Sequence, residues 1–241
     1  MKELLSSFDS YNFRARISVS FLLVAPWLIE LYIFVPQIRE LPTTIVVLLV
    51  AYAFCNIAIA YTHLTDEKVT KRAFPELMPT TRLLMPSNTA IDKVTKDRYY
   101  HFFNDNMFFP LSGSDAEMKA PIESAIRWLI SQTRDKAKFP LIYEENINYG
   151  VAKNLYGLKK HGILLSMLGI ATNAVIWLIL YFDLLKLDIS YISIFISAVT
   201  HILFILFWIF IARIGLVRIC GEKYARVLLS ACDSPFLKRD R

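Results

Sequence analysis

Four apolar runs, 17–36, 41–62, 162–182 and 189–212, constrain this chain more than any other feature of its sequence. Each is 20 to 24 residues long, and together they hold one formal charge, Glu30. About 20 helical residues cross a hydrocarbon core, and only a helix satisfies every backbone polar group within one such segment. Buried helices of soluble cores are usually shorter and amphipathic. A 241-residue chain that is 55% hydrophobic also carries more apolar surface than a soluble domain needs. The reading is an all-α integral membrane protein with four transmembrane helices in two hairpins, 17–62 and 162–212. A helical cytoplasmic domain, 63–161, is inserted between spans two and three, with an amphipathic segment at 1–16 and a helical tail at 213–241. The first run is longer than the ~7–15-residue core of a signal peptide, and no small-residue cleavage site follows it before Pro42, so it is expected to remain in the mature chain.

Charge orients the spans. The connections 37–40 and 183–188 hold Arg39 and Lys186, whereas 25 of the 27 Lys and Arg lie before span one, in 64–161 or after Ala212. Positive charge favours the cytoplasmic side, so both termini and the central domain are expected there. Cys55, Cys220 and Cys232 form no CxxC pair, and no Cys/His spacing suggests a metal.

Leu4, Leu5, Phe8 and Tyr11 share one helical face, which suits a short helix on the inner leaflet or a single anchoring turn. In the central segment, 65–74 continues span two until Pro75 interrupts it. Ser87 is a candidate N-cap for a helix to about Asp105, and a loop with Pro110, Ser112 and Gly113 follows. Ser114 and Glu117 make a capping-box pattern for a helix to about Thr133. A third helix, from about Leu141, is expected to stop near Gly157 before span three. Beyond Arg213 the apolar period runs on through Leu216, Ile219, Tyr224 and Val227, which predicts that span four extends as an amphipathic helix.

The chain has no GxGxxG, P-loop, GxSxG or HExxH and no carboxylate pair spaced for acid–base work, so neither enzyme activity nor a cofactor is expected. The intramembrane polar residues say more. Glu30 lies 14 residues beyond Arg16, ~21 Å along a helix and in the outer half of span one. It suits either an acidic ring at the mouth of a cation pore or a carboxylate reaching the outer interface near Arg39 or Lys186. Asn173 and His201 fall near mid-bilayer, and Asn56 in the inner half of span two. These three are candidates for pore lining or for hydrogen bonds between helices. Four helices leave little room for a water path at their own axis, which favours several subunits around a shared one, a homo-oligomer such as a tetramer.

The central domain holds 15 Lys and Arg against 12 Asp and Glu, and the cations cluster with aromatics. One run is Lys93, Lys96, Arg98, Tyr99 and Tyr100; a second is Arg127, Trp128, Arg134, Lys136 and Lys138; a third is Lys153, Lys159 and Lys160. Cations for phosphates and aromatic faces for bases suit single-stranded DNA or a nucleotide. The same cations also suit anionic membrane lipid or a solvated surface.

Three stretches carry a resemblance: Met78–Leu84 (MPTTRLL, which adds Arg82 to the candidate ligand contacts), Asp92–Tyr100, and Phe139–Ile163 with its Glu144-Glu145-Asn146, Tyr149-Gly150, Asn154-Leu155 and Gly157-Leu158-Lys159. Together, over about 90 residues, they resemble a set of bacterial four-span membrane proteins with PTTRLL and EENxxYGFxxNLxGLKPxGI patterns. Val151 and His161 replace the Phe and Pro of that pattern. The chain is also similar to the membrane effectors of Hailong anti-phage systems. That resemblance implies a homo-oligomeric ion channel of antiviral defence. It would be held shut by short single-stranded DNA made by a nucleotidyltransferase encoded nearby, and would dissipate ion gradients when the DNA is lost. A small transporter subunit and a membrane-tethered scaffold without conductance remain the alternatives.

The charge asymmetry makes a direct prediction. A cysteine introduced at Ser114 should escape an impermeant thiol reagent on intact cells and react after permeabilisation; strong labelling of intact cells would reverse the topology.

Overall fold

The computed structural model describes residues 11–107 and 111–237, and every regular element among them is helical. Leu4, Leu5, Phe8 and Pro110 lie outside the described residues. A π-helical turn, Asn12–Ile17, leads into α1 (Ser18–Phe34), and a short 3₁₀ turn, Pro36–Arg39, joins α1 to α2 (Leu41–Ala73). Next come α3 (Pro79–Leu84), α4 (Lys93–Met107), α5 (Asp115–Gln132), α6 (Pro140–Tyr181), α7 (Tyr191–Phe210) and α8 (Ile214–Ser230). Four helical segments are long and apolar enough to cross a membrane: Arg14–Phe34, Leu41–Ala73, Pro140–Tyr181 and Tyr191–Phe210. They carry the four apolar runs read from the sequence.

Several boundaries differ from the sequence reading, each for a local reason. Ser87 does not cap α4: its backbone N–H and hydroxyl both bond to the Asp115 carboxylate. Asp92 caps α4 instead, accepting from the Thr95 N–H at 2.9 Å. Two hydrogen bonds from Thr95 hold the Asp92 carboxyl below the ordinary aspartate value. At Ser114 the capping box forms as expected. α6 does not stop at Gly157 but runs unbroken from Pro140 to Tyr181, 42 residues in all, because Gly157 is used for close packing rather than termination. Span four and the following helix are separate elements: the helix is interrupted at 211–213 before α8 begins.

The described residues sort into two compact units. The first comprises residues up to Val69 together with Gly150–Leu216. Its apolar core joins Val19 and Leu23 of α1, Ala58 of α2, Leu155 and Leu158 of α6, and Trp208 of α7. Two α6 glycines set the approach of α7. A Cβ at Gly162 would overlap the Trp208 ring, and one at Gly169 the His201 ring. Glycines and rings are both seven residues apart and pair in antiparallel order, so each ring of α7 lies in a notch on α6. Another face of α6 carries Gly150, Asn154 and Gly157 of the resemblance motif. Gly150 makes room for the Tyr11 hydroxyl, Asn154 Nδ2 donates to the Ala15 carbonyl at 2.6 Å, and Gly157 lies under Thr65. In this unit those motif residues serve helix packing.

The second unit comprises Thr70–Tyr149 together with the chain after Val217. α5 presents Met118, Ile122, Ala125, Ile126 and Leu129 at helical spacing to one core. There they meet Leu83, Leu84 and Met85, Tyr99 and Phe103 of α4, and Ala225, Leu228 and Leu229 of α8. The tail helix is thus part of the same core as the segment between spans two and three.

This core makes a contrast testable. Leu129 is fully buried and its neighbour Ile130 is 38% exposed. Leu129→Ala should cost about 2–5 kcal/mol and Ile130→Ala about 0.5 kcal/mol or less, by denaturation of the detergent-purified chain. Equal effects would place the core elsewhere.

Candidate functional site

Glu30 on α1 is buried inside the first unit. It is 4% exposed, and its Oε2 receives three donors from two other helices. Asn173 Nδ2 of α6 lies at 2.9 Å, Ser197 Oγ of α7 at 2.9 Å and His201 Nε2 of α7 at 2.7 Å. Asn173 Nδ2 also reaches Ser197 Oγ at 3.1 Å and the Gly169 carbonyl of its own helix at 2.8 Å. Trp27 meets the His201 ring edge-on with centroids 5.5 Å apart, and its Nε1 donates to the Leu165 carbonyl at 3.2 Å. All three contacts fall on one oxygen, which has two lone-pair sites, and the role of His201 Nε2 depends on its tautomer. In an apolar medium an isolated charge costs several kcal/mol, and hydrogen-bonded partners offset part of that.

The centre has capacity left over. Asn173 Oδ1 and His201 Nδ1 are buried with no protein partner among the described residues, and so are Ser20 Oγ and Ser166 Oγ. Ser20 precedes Glu30 by 10 residues on α1, ~15 Å, and Ser166 precedes Asn173 by seven on α6, ~10 Å. Both helices run from the end marked by Arg14 and Arg16 and by Lys159 and Lys160, so the unpartnered serines lie between that end and the Glu30 centre. Isolated buried hydroxyls on α1 and α6 therefore lie on that side of the Glu30 centre.

The structure brings together Glu30, Asn173 and His201 of the sequence candidates, and it leaves Asn56 apart. Asn56 is exposed on α2 and donates to the Tyr52 carbonyl of its own helix at 2.8 Å. The sequence reading missed Ser197, Trp27 and Gly169. A signal was available: Ser197–His201 and Gly169–Asn173 are both spaced i, i+4 and so share a helix face.

Most of the basic–aromatic residues are engaged locally. Lys96 is 6% exposed; its ammonium donates to the Met85 carbonyl at 2.9 Å and to that of Asn88. Burial pushes it below the ordinary lysine value, against the pull of Asp115 and Asp97. Arg98 forks onto Asp233 at 2.6 and 2.9 Å, and Arg82 meets Glu222 at 2.7 Å. Tyr99 is buried in the second unit's core, where Tyr100 and Trp128 also pack. Tyr100 donates to the Leu84 carbonyl, and burial raises its hydroxyl to about 12. Lys153 pairs with Asp66 at 2.6 Å, Lys159 donates to the Ile209 carbonyl at 3.1 Å, and Lys138 lies 4.0 Å from Asp135. Lys136 sits 5.8 Å from the Tyr143 ring centroid. Lys93, Arg127, Arg134 and Lys160 are exposed. Among the described residues no group of three or more His, Cys, Asp or Glu could hold a metal ion.

No family model, curated protein or solved structure matches this chain.

The convergence on Glu30 Oε2 predicts strong coupling. Glu30→Ala should cost about 3–5 kcal/mol, because it strands buried donors. In a double-mutant cycle with His201→Ala the two losses should fall short of additivity by about 1–3 kcal/mol, measured by unfolding in detergent. Additive losses would mean that the two side chains do not touch.

Proposed function

We propose that this chain is a channel-like membrane protein whose ion path passes the Glu30 centre inside its own helix bundle and is shut in the state described above. The observation that supports this reading is the buried carboxylate of Glu30, held by three donors among helices of membrane-crossing length. Ionisable groups inside a bilayer are costly and typically serve an ion or proton pathway. The spare acceptors at Asn173 and His201, and the buried serines toward the basic end, offer hydrogen bonds to water once the helices part. A Glu30 side chain turned inward suits a path within each chain better than an acidic ring around a shared axis. Assembly of several copies is then not needed for the path, though the resemblance favours a homo-oligomer.

In this reading the helical domain between spans two and three, with α8, controls opening. An anionic ligand, a short single-stranded DNA or nucleotide, would meet Lys93, Arg127 and Arg134, which are exposed, rather than Lys96, Tyr99 or Trp128, which the core already uses. The resemblance supplies the ligand class and the setting, an antiviral effector in a bacterial inner membrane whose opening collapses ion gradients. The Glu30–His201 contact also suits a proton-coupled carrier, which would show saturable uptake instead of stepwise current.

Bilayer recordings on the purified chain separate these outcomes. The channel reading expects a cation-selective current modulated by short single-stranded DNA, and Glu30→Gln should lower it by about an order of magnitude. Arg127→Gln or Arg134→Gln, each removing one cation from a phosphate, should flatten the salt slope of DNA binding by about 0.7. Absence of current from folded protein, with and without DNA, would contradict the proposal.

A further inference from the structure

The end of the first unit away from Lys159 carries a surface that the Glu30 centre does not use. Trp177 and Tyr181, one turn apart on α6, stack with ring centroids 5.1 Å apart, and Phe182 meets Tyr181 edge-on. All three are exposed, and so is Tyr191 at the start of α7. Asp183 ends α6 with a left-handed φ of 51°. The Leu184 N–H bonds back to the Ile179 carbonyl at 3.0 Å and the Asp183 N–H to that of Leu180 at 3.3 Å, so late carbonyls of the helix are satisfied by the chain itself. The connection to α7 then mixes exposed Leu184 and Leu185 with exposed Lys186 and Asp188. Such a surface is too apolar for water and too polar for hydrocarbon.

Contacts between α6 and α7 bring the rings to one level. Gly162 meets the Trp208 ring, Gly169 the His201 ring, and Asn173 bonds to Ser197, so the antiparallel pair keeps one register through three successive contacts. Carried on, that register sets Tyr191 opposite Ile179, midway between Trp177 and Tyr181. At the other end Lys159 donates to the Ile209 carbonyl at 3.1 Å. From this contact to the rings is 22 residues along α6 to Tyr181, ~33 Å, and 18 residues along α7 to Tyr191, ~27 Å. The two lengths bracket the ~30 Å of a hydrocarbon core.

We propose that Trp177, Tyr181 and Tyr191 form an anchor that binds the headgroup boundary of one lipid leaflet, the leaflet away from Lys159. Trp and Tyr join an apolar ring to an N–H or O–H that needs a polar partner, and they gather where hydrocarbon meets water. The patch is continuous with exposed apolar residues of the spans, Val175 and Leu178 on α6 and Phe195 on α7, so the lipid that covers those faces reaches the rings. With the boundary there, Asn173 lies six residues, ~9 Å, inside the Ile179 level and 14 residues, ~21 Å, from Lys159. The Glu30 centre is thereby held in the leaflet of the aromatic side, with the thinner apolar layer between it and that surface. This inference rests on membrane crossing by α6 and α7 and not on conductance.

The test reconstitutes the full chain in phosphatidylcholine vesicles whose lipids carry a fluorescence quencher at the headgroup boundary, in the upper acyl chain or at the bilayer middle. Subtracting the emission of Trp177→Phe from that of the wild type isolates Trp177 from Trp27, Trp128 and Trp208. Trp177 should lose most emission to the shallow quencher and least to the central one. Adding Tyr181→Trp to the Trp177→Phe chain should restore that order. Adding Leu168→Trp instead, at an exposed position nine residues from Lys159 and 13 from Tyr181, should reverse it. Strongest quenching of Trp177 by the central label would sink the anchor. Weak quenching of Trp177 from every depth, with the tryptophan at 168 responding to the central label, would set the rings against protein and overturn it too. A tryptophan at 168 that no lipid label reaches would remove membrane crossing together with the anchor. Absence of current in bilayer recordings would leave the quenching order unchanged, so the two readings fail separately.

Discussion

A carboxylate in an apolar helix bundle is the constraint on which the first unit turns. Once Glu30 is buried among helices of membrane-crossing length, its Oε2 needs donors, and α6 and α7 must bring them within hydrogen-bond range together. Gly169 makes this possible, because only a residue without a side chain lets the His201 ring lie against α6. Gly162 repeats the arrangement two turns away with Trp208, so one spacing sets both the polar centre and the apolar packing beside it. Burying hydrogen-bonded ionisable groups is seldom the most stable choice available to a sequence, which is why the arrangement draws attention.

The second unit solves a different problem. A segment rich in Lys, Arg and aromatics has to form a core, and it does so by turning the aromatic rings inward and matching several cations with carboxylates. Arg98 with Asp233 and Arg82 with Glu222 join α4 and α3 to the chain after span four. These pairs are exposed and each contributes little to stability. Lys96 differs, because its buried ammonium closes the loop from Met85 to Asn88. A basic–aromatic run in the sequence is therefore not a binding surface by default. What remains for a ligand is the exposed subset around Lys93, Arg127 and Arg134.

How much of this was legible in the sequence follows from the range of each interaction. The four apolar runs, the Ser114 capping box and the helical character of the central segment depend on near neighbours, and all were readable. The end of a helix at Gly157 was not, because a glycine signals a stop only when nothing packs on it, and here Thr65 does. Ser87 and Asp92 are both plausible caps by type; the 28-residue reach from Ser87 to Asp115 decides between them. At the candidate site, Glu30, Asn173 and His201 stood out singly as polar residues in apolar runs. Their meeting, and the inclusion of Ser197 and Trp27, depends on contacts between helices up to 171 residues apart, which no local pattern records.

The central claim is that Glu30 and His201 are in direct contact inside the bundle of a single chain, and solid-state NMR on the protein in lipid bilayers addresses it most directly. With the Glu30 side-chain carboxyl carbon and the His201 Nε2 isotopically labelled, the 2.7 Å separation of His201 Nε2 from Glu30 Oε2 predicts a clear ¹³C–¹⁵N dipolar coupling. That coupling should persist when labelled chains are diluted with unlabelled ones, because both atoms belong to the same molecule. A coupling that is absent, or that disappears on dilution, would contradict the account.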